Sequence, residues 1–105
     1  IACQGLIRLG QVLASTDATA SDRYTQAGLA VLSTLLEEPY LSTDPEHQGL
    51  LLHAIYHRPN GWDYVPRGRK IPCGESCMWG DYHTMELVHL IKREAEGGPY
   101  PLFWK

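Results

Sequence analysis

The stretch P-C-G-E-S-C-M-W-G-D-Y-H, Pro72 to His83, puts acid, hydroxyl, thiol, indole, phenol and glycine into a connection that runs straight into an apolar-periodic segment. Beyond it Met85, Leu87, Val88, Leu90 and Ile91 recur at helical spacing, which predicts a helix opening near Asp81. The same helix is expected to end at Gly97 and Gly98, with Lys92 and Arg93 in its final turns where cations suit the helix dipole. Asp81 then stands where a carboxylate can accept the free amides of the first turn as a cap. The sharper reading, compatible with the first, is that this carboxylate faces a cleft and meets a sugar hydroxyl or water.

Working back, Tyr56 to Tyr64 (Y-H-R-P-N-G-W-D-Y) has the same mixture of polar groups and broad aromatic faces, held at turns by Pro59, Asn60 and Gly61. Two such loops flanked by helices read as one wall of a binding cleft. Gly49 to Tyr56 is ambiguous between a short helix and a short strand, and its one β-branched residue, Ile55, tilts it to helix or irregular structure. From Pro59 to Cys73 the chain reads as a long loop, a kind that in small proteins is functional or disordered. Its tryptophan and tyrosine argue against disorder.

Nearer the start, Leu6, Leu9 and Leu13 share one face of a first helix over Ile1 to Leu13, with Arg8 and Gln11 opposite. The polar run Ser15 to Ser21 offers N-cap candidates for a second helix carrying Tyr24, Ala27, Leu29, Val31, Leu32, Leu35 and Leu36. That helix is apolar nearly all round and is expected to be buried on most sides. Pro39 ends it. The tail Pro99 to Lys105, aromatic and proline-rich, is expected to pack back onto the body.

The chain has 105 residues, enough for one small domain. Such a chain buries only about 60 to 68 % of the surface it exposes when unfolded, which leaves little room for a large active site. A net charge of −3 gives no basic footprint for nucleic acid, and Arg67, Arg69 and Lys70 read as a solvated loop. No apolar run approaches the roughly 18 residues of a membrane span. Three cysteines, Cys3, Cys73 and Cys77, do not suit a disulfide framework and lean towards a reducing compartment such as the cytoplasm. The opening at Ile1 in mid-helix pattern predicts a piece of a longer polypeptide.

Several side chains qualify for chemistry, each with a plainer explanation beside it. Trp62 and Trp79 suit stacking on a sugar ring, although burial in a core explains a tryptophan more often. Glu75 and Ser76, next to Gly74, supply acceptor and donor at a close backbone approach, or simply turn chemistry. Arg58, after Tyr56 and His57, has the planar fork that recognises carboxylates. His53 and His57 are four apart, as are Cys73 and Cys77, but zinc signatures use tighter cysteine spacing and nothing places Cys77 beside a base. Asp17, Asp22, Glu37, Glu38, Asp44 and Glu46 read as solvated surface. No convincing acid-base pair emerges, so the residues amount to half a site.

Together Y-H-R-P-N-G-W-D, Tyr56 to Asp63, and C-G-E-S-C-M-W-G-D-Y-H, Cys73 to His83, resemble the C-terminal end of the unsaturated glucuronyl hydrolases, glycoside hydrolase family 88. W-G-D-Y, Trp79 to Tyr82, is the most specific part, and A-C-Q-G-L, Ala2 to Leu6, fits the helix one hairpin earlier. The resemblance covers essentially the whole chain but only about the last quarter of the family's domain. It implies an all-α fold, with residues 1–105 as helical hairpins forming the C-terminal part of an (α/α)6 six-hairpin barrel. The implied activity is hydration of the C4–C5 double bond of an unsaturated uronic acid at the non-reducing end of oligosaccharides. A hemiketal then rearranges and releases the sugar, without metal or organic cofactor.

The family's two key aspartates lie upstream of the matched region, so the resemblance implies no catalytic residue here. It implies a cup-lining, substrate-binding role for Tyr56, His57, Ser76, Trp79 and Asp81. The partners it implies are the unsaturated uronyl oligosaccharide and the rest of the barrel. An insert from Arg58 to Ile71 departs from the family pattern. Two other readings stay open: a non-catalytic helical interaction module whose aromatic loops are its contact surface, and another six-hairpin glycosidase or sugar epimerase.

Overall fold

A computed structural model of the chain describes residues 1–70 and 75–99. Three helices carry the fold: α1 (Ala2–Leu13), α2 (Ala18–Leu35) and α3 (Met78–Ala95), with a short 3-10 turn at Arg58–Asn60. The fold is all-α. Among the described residues the nearest thing to a strand is an isolated antiparallel bridge between Leu41 and Leu51.

Helices α1 and α2 form an antiparallel hairpin. Asp17 starts α2, its side chain accepting the Ala20 amide at 2.9 Å, a cap that contributes about 1 kcal/mol. Small residues let the two backbones close. A methyl group on Gly10 would run into the Thr25 hydroxyl and the Ser21 carbonyl, and one on Gly28 would run into the Ile7 side chain. Across the same seam Ser21 donates to the Gly10 carbonyl at 2.8 Å and the Cys3 thiol to the Gly28 carbonyl at 3.0 Å.

Helix α3 returns alongside α1 in the same direction. Arg8 meets Glu86 at 3.3 Å, and further along both helices Gln11 donates to Glu94 at 2.9 Å. Between them lies the core: Cys3, Ile7, Leu32, Leu87 and Leu90, with Ile91 packed against it. At the C-terminus Gly97, at φ +66°, turns the chain out of α3, and the Gly98 amide reaches back to the Arg93 carbonyl at 2.7 Å. The expected end of this helix is therefore observed.

Four expectations need correction. The buried face of α1 is Cys3, Gln4, Ile7 and Gly10, not Leu6, Leu9 and Leu13; Leu9 is exposed. Close helix approach selected the small and polar residues, which a purely apolar periodicity passes over. In α2 only Gly28 and Leu32 are buried, while Leu29, Val31 and Leu36 face outwards, so its broad apolar surface is not enclosed by the described residues. Residues 49–56 form neither helix nor strand; they run irregularly, with Leu52 donating to the Tyr40 carbonyl at 2.7 Å and Ser42 to that of Leu50 at 2.8 Å.

The fourth correction concerns α3, which opens at Met78, one turn before the expected start. Cys77 occupies the cap position and makes no side-chain cap bond; Asp81 sits within the first turn. The expected docking of the tail falls on Tyr100 to Lys105, outside the described residues, as do Ile71 to Gly74.

The molecule is elongated, 51 × 27 × 26 Å, with a Cα radius of gyration of 16.2 Å. A compact chain of this length has about 13 Å.

Candidate functional site

The loops between α2 and α3 collect at the N-terminal end of α3, and two aspartates hold them there. Asp81 accepts the Leu50 amide at 3.0 Å and the Leu51 amide at 2.9 Å, one on each carboxylate oxygen. Bonds from amides to an ionised carboxylate are about twice as strong as neutral ones. Asp63 does the same for the following loop, accepting the amides of Tyr56 and, at 3.2 Å, His57. Within that loop the Asn60 amide donates to His57 Nδ1 at 3.2 Å, and Gly61 takes the left-handed conformation, φ +65°, that closes the turn.

A third tie joins the same regions. His47 Nε2 and Ser76 Oγ are 2.8 Å apart, and Gly49 passes so close to Ser76 that a side chain there would overlap its hydroxymethyl group. The Ala54 amide donates to the Glu75 carbonyl at 3.1 Å. Ser76 is thus pressed between two loops with one hydrogen-bonding partner in His47.

On this frame lies a cluster of rings. Tyr56 stacks on Trp62, centroids 5.3 Å apart and planes at 30°, and meets Trp79 at 5.4 Å and 36°. His57 tilts against Trp62 at 5.1 Å. The rings remain open to solvent, Tyr56 at 59 %, Trp62 at 60 % and Trp79 at 42 % exposure. Two hollows flank the start of α3 and share Glu75, Ser76 and Cys77. One of about 280 Å³ is bordered by Tyr56, Trp62 and Tyr64; the other, about 580 Å³, by His47, Gly49 and Asp81.

Of the expected binding residues, Tyr56 and Ser76 line one hollow, and Ser76 and Asp81 the other. Trp79 touches Tyr56 but turns its remaining surface to a separate apolar crevice with Ile1, Cys3, Leu51 and Leu87. His57 lies beside the cluster, bracing Trp62. Asp81 is not the backbone cap the sequence predicts, and both its oxygens already hold loop amides. Its main work is to fasten the loop to α3.

Residues missed from sequence include His47, whose partnership with Ser76 spans a separation no periodicity encodes. Another is His53, which adopts φ +61°, rare for a side chain of that size. Its ring stands edge-on to Tyr40, centroids 6.2 Å apart, and its Nδ1 is buried without a hydrogen-bond partner.

Among the described residues no three His, Cys, Asp or Glu side chains come together as a metal site. His53 and His57 do not converge with a third ligand, and Cys73 lies outside the described residues. Among the described residues no helix is long and apolar enough to cross a membrane. No protein-family model, curated protein or solved structure matches this chain.

Proposed function

We propose that the chain supplies the final hairpin and closing helix of a six-hairpin glycoside hydrolase resembling the unsaturated glucuronyl hydrolases. In this reading it forms one wall of the cup that holds an oligosaccharide ending in a 4,5-unsaturated uronic acid. The observation that carries the proposal is the convergence of Tyr56, Trp62 and Ser76 on one hollow at the start of α3, with Trp79 in contact with Tyr56. Flat aromatic faces beside hydroxyl and carboxylate groups are what a pyranose ring requires: apolar C–H faces on the rings, hydroxyls on the polar groups.

The helix order supports the same reading. A hairpin α1–α2 followed by α3 running parallel to α1 is one step of a barrel in which alternate helices share a layer. The outward apolar residues of α2, Leu29, Val31 and Leu36, then lie against neighbouring hairpins. The acid and base of the hydration step belong to the remainder of the barrel. This chain's contribution is to bind and orient the sugar, and alone it is inactive.

The test is to express this chain together with the polypeptide that precedes it in its gene and follow the ultraviolet absorbance of unsaturated uronyl disaccharides. Loss of the double-bond absorbance is expected with the joined protein and not with the isolated chain. A joined protein that leaves the absorbance unchanged, while folding cooperatively, overturns the proposal.

A further inference from the structure

Trp62 is set differently from the other indoles. It belongs to the turn after the 3-10 segment and leaves 60 % of its surface to solvent, yet its ring is fixed from below. Tyr56 supports it at 30° to parallel, His57 braces its side, and the backbone beneath is pinned by the Asp63 carboxylate through the amides of Tyr56 and His57. An exposed ring already held in place loses little side-chain freedom when a ligand lands on it. A mobile surface tryptophan lacks that advantage.

The hollow beside it is charged in one direction only. Asp63 and Glu75 both border it, and no lysine or arginine is among its described lining residues. Asp63 has its oxygens taken by two backbone amides, which leaves the exposed Glu75 carboxylate as the acceptor that faces an incoming ligand. A ring bearing its own carboxylate meets like charge there. A neutral ring offers hydroxyls to Glu75 and Ser76 and its C–H face to Trp62.

We infer that Trp62 is the platform of a second sugar subsite, which takes a neutral pyranose ring and, through Glu75, rejects a uronate. The inference deepens the proposed function and rests on it for the ring's place in a substrate: this ring is the neighbour of the unsaturated unit. The recognition itself does not depend on hydrolysis.

The experiment is a titration of the isotope-labelled protein with two saturated probes, cellobiose as the neutral disaccharide and digalacturonic acid as the anionic one. The readout is the indole N–H signal of Trp62, identified by its disappearance in Trp62→Phe. Cellobiose is expected to move that signal with a dissociation constant on the order of 1 to 10 mM, and digalacturonic acid to bind at least about tenfold more weakly. Glu75→Gln, at an exposed position, is expected to narrow the gap to about threefold or less.

A Trp62 signal that stays in place with both probes overturns the inference. Equal response to both in the unsubstituted protein overturns the charge selection. If the signal follows cellobiose in a protein that leaves unsaturated disaccharides untouched, the enzymatic reading falls and the subsite stands.

Discussion

Ser76 Oγ and His47 Nε2 lie 2.8 Å apart across a separation of 29 residues, so the loop after α2 and the start of α3 share a polar contact beside their close packing at Gly49. One group of the pair must donate and the other accept. If His47 donates, the serine hydroxyl hydrogen is left to point at a ligand in the hollow.

Removing either partner is expected to cost about 0.5 to 1.5 kcal/mol in urea unfolding. A double-mutant cycle with Ser76→Ala and His47→Ala should return a coupling of at least about 0.5 kcal/mol. Additive single substitutions would show that the contact is not formed in solution.

Asp81 predicts a larger effect. Asp81→Ala releases two amides from a charged acceptor and is expected to destabilise by roughly 2 to 3 kcal/mol. Asp81→Asn keeps one carbonyl oxygen and presents a donor to the second amide, so it should not rescue fully. Hydrogen exchange at Leu50 and Leu51 is the direct measure: both amides should exchange much faster in Asp81→Ala, with α1 and α2 unchanged.

The glycines of the first hairpin divide into two kinds. Gly28→Ala and Gly10→Ala force a methyl group into Ile7 or Thr25 and are expected to cost about 1 to 3 kcal/mol. Gly5 faces open space within α1, so Gly5→Ala should stabilise by about 0.5 to 1 kcal/mol through helix propensity. Thermal melts of the three variants separate packing from propensity.

Acid stability should depend on Glu86. A hydrogen bond from Gln4, above all, with the charges of Arg8 and His83 added, holds its carboxyl below the ordinary glutamate value. A lowered folded-state value gives stability that is fully present above the unfolded glutamate value and lost as pH falls through the folded one. Glu86→Gln is therefore expected to flatten the acid limb of stability against pH and to leave its slope near neutrality alone. At the alkaline end burial raises the Cys3 thiol above its usual value. Cys3 thus contributes stability that is whole below the unfolded thiol value and declines as pH rises past it. In the native protein, iodoacetamide should modify the half-buried Cys77 before Cys3.

Helix identity was legible because Leu87, Leu90 and Ile91, and Leu29, Leu32 and Leu35, repeat at a period that few other structures share. The end of α3 was legible for a chemical reason, the paired Gly97 and Gly98. Which face each helix buries was not: in α1 the tight seam is made by Gly10 and Cys3 against α2, and contact distance between backbones leaves no hydrophobic trace. The start of α3 was misplaced because Asp81 looks like a cap, while its carboxylate serves a loop some 30 residues earlier. Tyr56, Trp62 and Ser76 were recognisable as candidates from their setting among turn residues. Their meeting at one hollow depends on the clips by Asp63 and Asp81, which are long-range pairings without periodicity.

The Asp81 clip also bears on how a guest could enter. With Leu50 and Leu51 welded to the first turn of α3, this stretch has no hinge of its own and travels with the helix as one rigid piece. Admission through the larger hollow is then by a standing doorway rather than by a flap, and arrival rates there should scale with diffusion and charge rather than with any opening step.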